Sequence, residues 1–411
     1  MDLQFFSVAV VSCSFGSSFG LILWYLLFIL SVFWLLVSGG WSREFISVEK
    51  LAFLLITWLL VRTVFSENVI AGFQFVLSEY RTLRMAPFIG ALLAHNLYFK
   101  QLWTPLIVGL LFNVLGSWTL TFASEFDFES ALYVTQFLGL KSQTNLNTLN
   151  GKFTQAIVLI MAFGVISFFV LDKCRNVGLR LSLALILMFM FFHALLYGDV
   201  RSGILASLIG ACGTLIYFFM ARFCFLKGLA FAFATVVLFI CALWVLMELS
   251  PRFSEAFAQG VSYFASGTST TSVGARLLIW GKLRLLDSSE LIFGVGSSGW
   301  KDILNLWFSP QDVGYYFVQW NDFHSQLIWL VVKGGLIAVA IYLWFCGSIL
   351  LRTHQAIAGG EGYVYVGLGI SLVTCLLFFG VFNSLLTSLR ESHVFGLGLV
   401  VWLYGIKAGR E

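Results

Sequence analysis

The feature that most limits what this chain can fold into is a recurrence of apolar runs, each near the length at which a helix crosses a bilayer. A spanning helix needs roughly 20 mostly apolar residues, because no backbone polar group can stay unpaired in hydrocarbon. Such runs fall at about 4–19, 21–38, 50–66, 84–98, 102–122, 155–171, 179–197, 203–220, 227–247, 325–350, 362–385 and 392–407. They predict an all-α polytopic membrane protein of about twelve transmembrane helices. Only 11% of the residues are charged and 60% are hydrophobic, whereas soluble domains carry about 25% charged residues. So few charges cannot cover a water-facing surface.

Lysine and arginine in the short loops set the orientation, because cytoplasmic loops carry the excess. Arg43, Lys50, Lys100, Lys173, Arg175, Arg180, Arg222, Lys227, Arg352, Lys407 and Arg410 all fall on one side of the twelve-segment count. Both termini are then cytoplasmic. The expected organisation is nine spans over 1–247 with a smaller outer loop near 123–154, a large outer loop over 248–323 containing short helices, and three spans over 324–411. One stretch strains the count. Around 67–83, Glu67, Glu79, Arg81 and Arg84 flank an apolar run from Val69 to Leu77. A short helix lying on the outer surface before the fourth span keeps every later segment in register.

Smaller signals narrow the reading. The first apolar run lacks a basic leader and another follows at once, so no cleavable signal peptide is expected. The seven cysteines are scattered singly, which gives neither a disulfide framework nor a zinc site. Only four prolines occur, so few helices should be forced to kink.

Three basic residues stand where chemistry can be done. Arg201 opens the eighth span, at the outer boundary of the membrane, where an arginine is costly and is either paired or functional. Pairing with Asp199, or snorkelling to the interface, is the purely structural alternative. Arg276 lies in the large loop, in a run that reads as an amphipathic helix through Leu286, with its apolar side expected on the membrane surface. A guanidinium there can clamp a phosphate through two parallel hydrogen bonds. Lys282 and Arg284 nearby suit anionic lipid headgroups. His324 sits where the loop re-enters a membrane helix, between Asp322 and Ser325. Its imidazole can take a proton near neutral pH and so suits a general base that activates a hydroxyl, oriented by Asp322.

Other motifs carry less. Gly294-Val295-Gly296-Ser297-Ser298-Gly299 fits GxGxxG in form, but no strand–helix unit surrounds it, so no nucleotide fold is expected. No carboxylate–histidine grouping points to a divalent metal, and no basic stripe points to nucleic acid. Two arginines match a diphosphate, a boundary position matches a lipid-linked substrate, and a histidine matches transfer to a hydroxyl. A transporter would place charges near the midplane, often in repeated halves; no repeat is visible, and the mid-span regions read as nearly free of charge.

On these residues the chain resembles the O-antigen ligase and polymerase superfamily of bacterial membrane glycosyltransferases, and more closely its ligase branch. The resemblance covers roughly Ser78 to the C-terminus. It rests on Gly198-Asp199-Val200-Arg201-Ser202-Gly203 at the start of a span and on Gly274-Ala275-Arg276-Leu277-Leu278-Ile279-Trp280 followed by Phe293-Gly294-Val295-Gly296. It rests also on His324-Ser325, nine residues and Gly335, and on Tyr80-Arg81. One departure is Ala338, where the ligase pattern ends in Gly, Thr or Tyr.

The resemblance implies a GT-C-like fold with a large periplasmic loop, in the inner membrane of a Gram-negative cell. It implies transfer of a polysaccharide from undecaprenyl diphosphate to a sugar hydroxyl of lipid A–core, with inversion and with no metal or other cofactor. Arg201 and Arg276 would hold the diphosphate, and His324 would orient or deprotonate the acceptor hydroxyl. Arg81, Arg84 and Arg390 would contact acceptor phosphates. The loop is then a lid over Arg201 rather than an independent domain. The competing readings are an O-antigen polymerase, a protein O-oligosaccharyltransferase and a polysaccharide-lipid transporter.

Overall fold

The computed structural model of the protein describes residues 18–38, 47–96, 156–162, 164–166, 185, 201–267, 269–310, 315–320, 322–358, 364–387 and 389–408. Among them, every regular element is helical. The first group is α1 (Ser18–Ser38), α2 (Ser47–Val64), α3 (Val69–Glu79) and α4 (Arg81–Asn96). A hairpin follows, α5 (Arg201–Arg222) and α6 (Phe225–Leu249). The large loop contains α7 (Pro251–Ser266), α8 (Ser272–Lys282), α9 (Ser288–Phe293), α10 (Trp300–Trp307) and α11 (Tyr315–Trp320). The chain then enters α12 (Gln326–Ala358) and α13 (Val364–Thr374), which runs on into a π-helical stretch at Cys375–Phe379, and ends in α14 (Leu389–Ala408).

Three of these helices are long and apolar enough to cross a membrane, over Arg201–Ala221, Phe225–Glu248 and Gln326–Gln355. They match the expected eighth, ninth and tenth spans, while α1, α2, α4, α13 and α14 fall on the second, third, fourth, eleventh and twelfth. The expected spans at 4–19, 102–122 and 179–197, and the loop near 123–154, lie outside the described residues apart from Ser18, Phe19 and Leu185. The short helix expected near 67–83 is α3. Asn68 caps it, its side chain accepting from the N–H of Ala71 at 3.1 Å, and Tyr80 separates it from α4. Of the cysteines described, Cys346 and Cys375 are buried, Cys224 and Cys241 are exposed, and all are free.

α12 is interrupted without proline. Gly335 breaks α12 with φ 67° and ψ −168°. A regular helix would pair the carbonyls of Val332, Lys333 and Gly334 with the N–H groups of Leu336, Ile337 and Ala338. Here they receive outside donors: Val295 N–H at 2.7 Å, Gly296 N–H at 3.1 Å and the Trp58 indole N–H at 2.7 Å. The segment after α9 therefore lies along the break in α12. Arg62 fastens the same segment, its Nε donating to the Gly294 carbonyl at 2.8 Å. Both sides of the contact require glycine. A Cβ on Gly335 would meet the Ile292 carbonyl oxygen at 2.0 Å, and one on Gly294 would meet the Lys333–Gly334 backbone at 2.5 Å.

Two apolar cores result. One lies in the bundle, between α2, α4, α12, α13 and α14. The other belongs to the large loop and the first turns of α12, with Ala275, Ile279, Trp300, Trp307, Phe323 and Trp329 buried in it. This corrects the expectation that the apolar side of α8 faces a membrane: Ala275 and Ile279 are buried in the loop core, with Leu278, Trp280 and Leu283 packed against it.

Replacing Gly335 with alanine is expected to destabilise the protein by about 2–4 kcal/mol, from strain at a positive φ together with the backbone collision. The measurement is the melting temperature in detergent beside Gly347→Ala, whose added Cβ would meet nothing within 4 Å. The second variant should be neutral or slightly stabilising.

Candidate functional site

The loop re-enters the bundle through Asp322-Phe323-His324-Ser325. Ser325 prepares the start of α12, its Oγ accepting from the Ile328 N–H at 3.4 Å. His324 is the one non-glycine residue with positive φ among the described residues, at 50°. Histidine tolerates this region better than most residues, and such strain collects at functional sites. The conformation is held from Asp322, whose Oδ1 accepts from the His324 N–H at 2.9 Å. The imidazole Nδ1 lies 3.4 Å from Asp322 Oδ2. The carboxylate is fixed in turn, because Oδ1 also accepts from the Trp329 indole N–H at 2.8 Å and from the Ser384 hydroxyl.

Burial holds the His324 pKa below its ordinary value; Asp322 opposes this and the positive charge of Arg276 adds to it. The lowered pKa favours the neutral imidazole, the form that can accept a proton. Arg276 is thus near enough for its charge to act on His324. It projects from α8, whose start is set by the Thr271 hydroxyl accepting from the Gly274 N–H at 3.0 Å.

Arg201 is the first residue of α5 and pairs with Glu255 of α7 at 3.4 Å. The partner is thus Glu255; Asp199 lies outside the described residues. The next residue, Ser202, is tied to the start of α12: Asn383 Nδ2 donates to Ser202 Oγ at 2.8 Å, and the Asn383 carbonyl accepts from the Gln326 N–H at 3.2 Å. Arg81 and Arg84 open α4 beside this assembly, and the Nε of each is buried without a hydrogen-bond partner among the described residues. Arg390 lies in the first turn of α14, and its side chain lies outside the described residues.

Two further charged residues were missed from the sequence. Lys333 is fully buried, and its Nζ donates to Glu79 Oε2 at 2.7 Å. It also lies 3.6 Å from the ring centroid of Phe75 and 3.7 Å from that of Trp329. The aromatic faces supply negative potential around the ammonium. Trp329 therefore serves two neighbours at once, giving its ring face to Lys333 and its N–H to Asp322. Gln326 completes the floor. Its Oε1 accepts from the Leu386 N–H at 2.9 Å, and its Nε2 donates to the Tyr80 hydroxyl at 3.4 Å. A lone lysine inside an apolar span was the available signal, since an intramembrane charge marks a functional site by default.

The structure thus sets Asp322 against His324 with the charge of Arg276 acting on the imidazole, ties Ser202, beside Arg201, to the start of α12 through Asn383, and sets Arg81 near Glu79. No family profile and no curated protein sequence matches the chain.

Breaking a buried ion pair by removing one partner costs about 3–5 kcal/mol, whereas replacing both members with apolar groups costs far less. Lys333→Met is therefore expected to destabilise strongly, and Lys333→Met with Glu79→Leu to recover most of the loss. Thermal unfolding of the two variants in detergent, each against wild type, measures the difference.

Proposed function

We propose that the protein is a membrane glycosyltransferase of the O-antigen ligase type, acting on the periplasmic face of a bacterial inner membrane. It takes a glycan from undecaprenyl diphosphate and joins it to a sugar hydroxyl of lipid A–core. The fold that accompanies this reading is a twelve-span, GT-C-like bundle with the 248–323 loop on the periplasmic side. The observation that carries the proposal is the pairing of His324 with Asp322 in a site where Arg276 is close enough to act on the imidazole. A proton acceptor and a phosphate-binding cation then serve one reaction centre. The sequence resemblance named above supplies the substrate class.

In this mechanism the acceptor hydroxyl is held against His324. Asp322 faces Nδ1, so Nε2 takes the proton as the oxygen attacks the anomeric carbon. The bond from that carbon to the diphosphate oxygen breaks, and undecaprenyl diphosphate leaves. Attack opposite the leaving group inverts the anomeric centre. Arg276 and Arg201 bind the diphosphate, where fixed positive charge stabilises the growing negative charge of the leaving group. Arg81, Arg84 and Arg390 contact phosphates of the acceptor.

Reconstitution with lipid-linked glycan and lipid A–core tests the reading directly. Glycan-capped core and free undecaprenyl diphosphate are expected; growth of the lipid-linked chain without core acceptor would assign a polymerase instead. His324→Ala is expected to lower transfer roughly 10²–10⁴-fold, the usual loss for a general base, while the protein still elutes as a folded species. Arg276→Ala should cost a comparable factor, and near-normal transfer by either variant would remove its assigned role.

The pH profile gives a separate check. Transfer needs neutral His324, so activity should persist at neutral pH and fall as pH drops through the lowered pKa of the histidine. Asp322→Asn removes the charge that raises that pKa, so the acid limb should move to lower pH. An acid limb that stays in place would count against His324 as the group that titrates.

A further inference from the structure

The helix α7 is amphipathic in the reverse sense for a water-exposed element. Phe257, Val261 and Phe264 are 66%, 53% and 79% exposed, and their i, i+4, i+7 spacing puts them on one stripe. No residue of α7 is buried. Two polar side chains on its other face turn instead toward the site. Glu255 pairs with Arg201. Gln259 donates to Glu255 Oε1 at 2.8 Å and accepts from the Val273 N–H, at the start of α8, at 3.3 Å. A helix standing in water would place these two sides the other way round.

What covers the apolar stripe follows from where α7 begins. One residue, Ser250, separates it from α6, whose membrane-length apolar stretch ends at Glu248. Pro251 has no N–H to continue the helical ladder of α6, so the chain breaks there and α7 restarts. The α6 surface is apolar and open, with Phe233, Leu238 and Trp244 exposed along it and Val245 and Met247 exposed at its last turn. The exposed stripe of α7 therefore continues, in the chain, from a surface built for lipid, and it starts at the level where that surface ends.

We propose that α7 lies in the plane of the membrane surface, with Phe257, Val261 and Phe264 among the lipid acyl chains. Interfacial helices bury their apolar side about 5–10 Å into the boundary between headgroups and chains. Seated in this way, α7 sets the height of Glu255, and through it of Arg201, relative to the hydrocarbon. It fixes the start of α8, and hence Arg276, through Gln259. The membrane contact first assigned to α8 belongs to α7, since α8 spends its apolar side on the loop core.

The test places a photo-crosslinking benzoylphenylalanine at Phe257 or Phe264 in the full-length protein, reconstituted alone in vesicles of phosphatidylethanolamine and phosphatidylglycerol. Phe233 on α6 is the positive control. After irradiation, intact-mass measurement should give phospholipid adducts at 257 and 264 in yield similar to that at 233. Adducts at 233 alone would overturn the proposal, and so would a covalent dimer of the chain formed from 257 or 264. The readout does not depend on which reaction the protein catalyses, so loss of the ligase reading would leave this result standing, and the reverse.

Discussion

Gly335 removes one turn of hydrogen bonding from α12, and the rest of the site is arranged around how that loss is made good. A buried carbonyl without a donor costs about 1–3 kcal/mol, so three of them exposed by the break would be ruinous in an apolar interior. The donors come from two places far apart in the sequence, Val295 and Gly296 in the loop and Trp58 in α2. The break is thus a docking edge built into a membrane-length helix. It fixes the large loop onto α12, and with it α8 and Arg276, at a defined height above the residues that precede Gln326. Remove the break, and α12 would satisfy its own backbone and present nothing polar for the loop to bind. The loop is part of the site because its backbone completes that of α12.

The Lys333–Glu79 pair is the second constraint. An ammonium with no exposure is tolerated because a carboxylate and two aromatic faces lie against it. That requirement holds Trp329 and Phe75 on two sides of the ammonium. Trp329, so held, has its N–H aimed at Asp322, and a fixed Asp322 holds the backbone and ring of His324. The chain of positions runs from a buried charge to a histidine in a strained conformation.

Much of the helix framework was legible, because run length and the spacing of apolar residues depend only on local sequence. His324, Asp322 and Arg276 were legible as polar residues in a polar stretch beside a span. Gly335 was visible only as a member of a pattern; its positive φ and its contact with Ile292 belong to the tertiary structure. Lys333 stands out locally as a charge inside an apolar span, but nothing local announces Glu79 as its partner across 254 residues. The same limit explains the exchange of roles between α7 and α8. Both are amphipathic, and no local rule says which apolar stripe finds protein. Trp300 and Trp307, seven residues apart on α10, line the loop core that takes in Ala275 and Ile279 of α8; among the described residues no such partner meets Phe257 and Phe264.

The two ion pairs of the site differ in a way that bears on which cations a substrate can reach. Lys333 is sealed, and separating it from Glu79 would leave an uncompensated charge in an apolar interior, at a cost of several kcal/mol. It can shape the field around Asp322 but cannot turn to a ligand. Arg201 and Glu255 are 29% and 61% exposed and meet at 3.4 Å, a geometry in which an ion pair contributes about 0–1 kcal/mol. So weak a contact holds the guanidinium in place while the site is empty and yields to a stronger one. The diphosphate of the proposed function offers more negative charge and two non-bridging oxygens that the two-pronged donor geometry of arginine can engage together. The buried pair therefore acts as framework. On the proposed function the exposed pair is a catch, and Glu255 is the side chain that an arriving anion would displace.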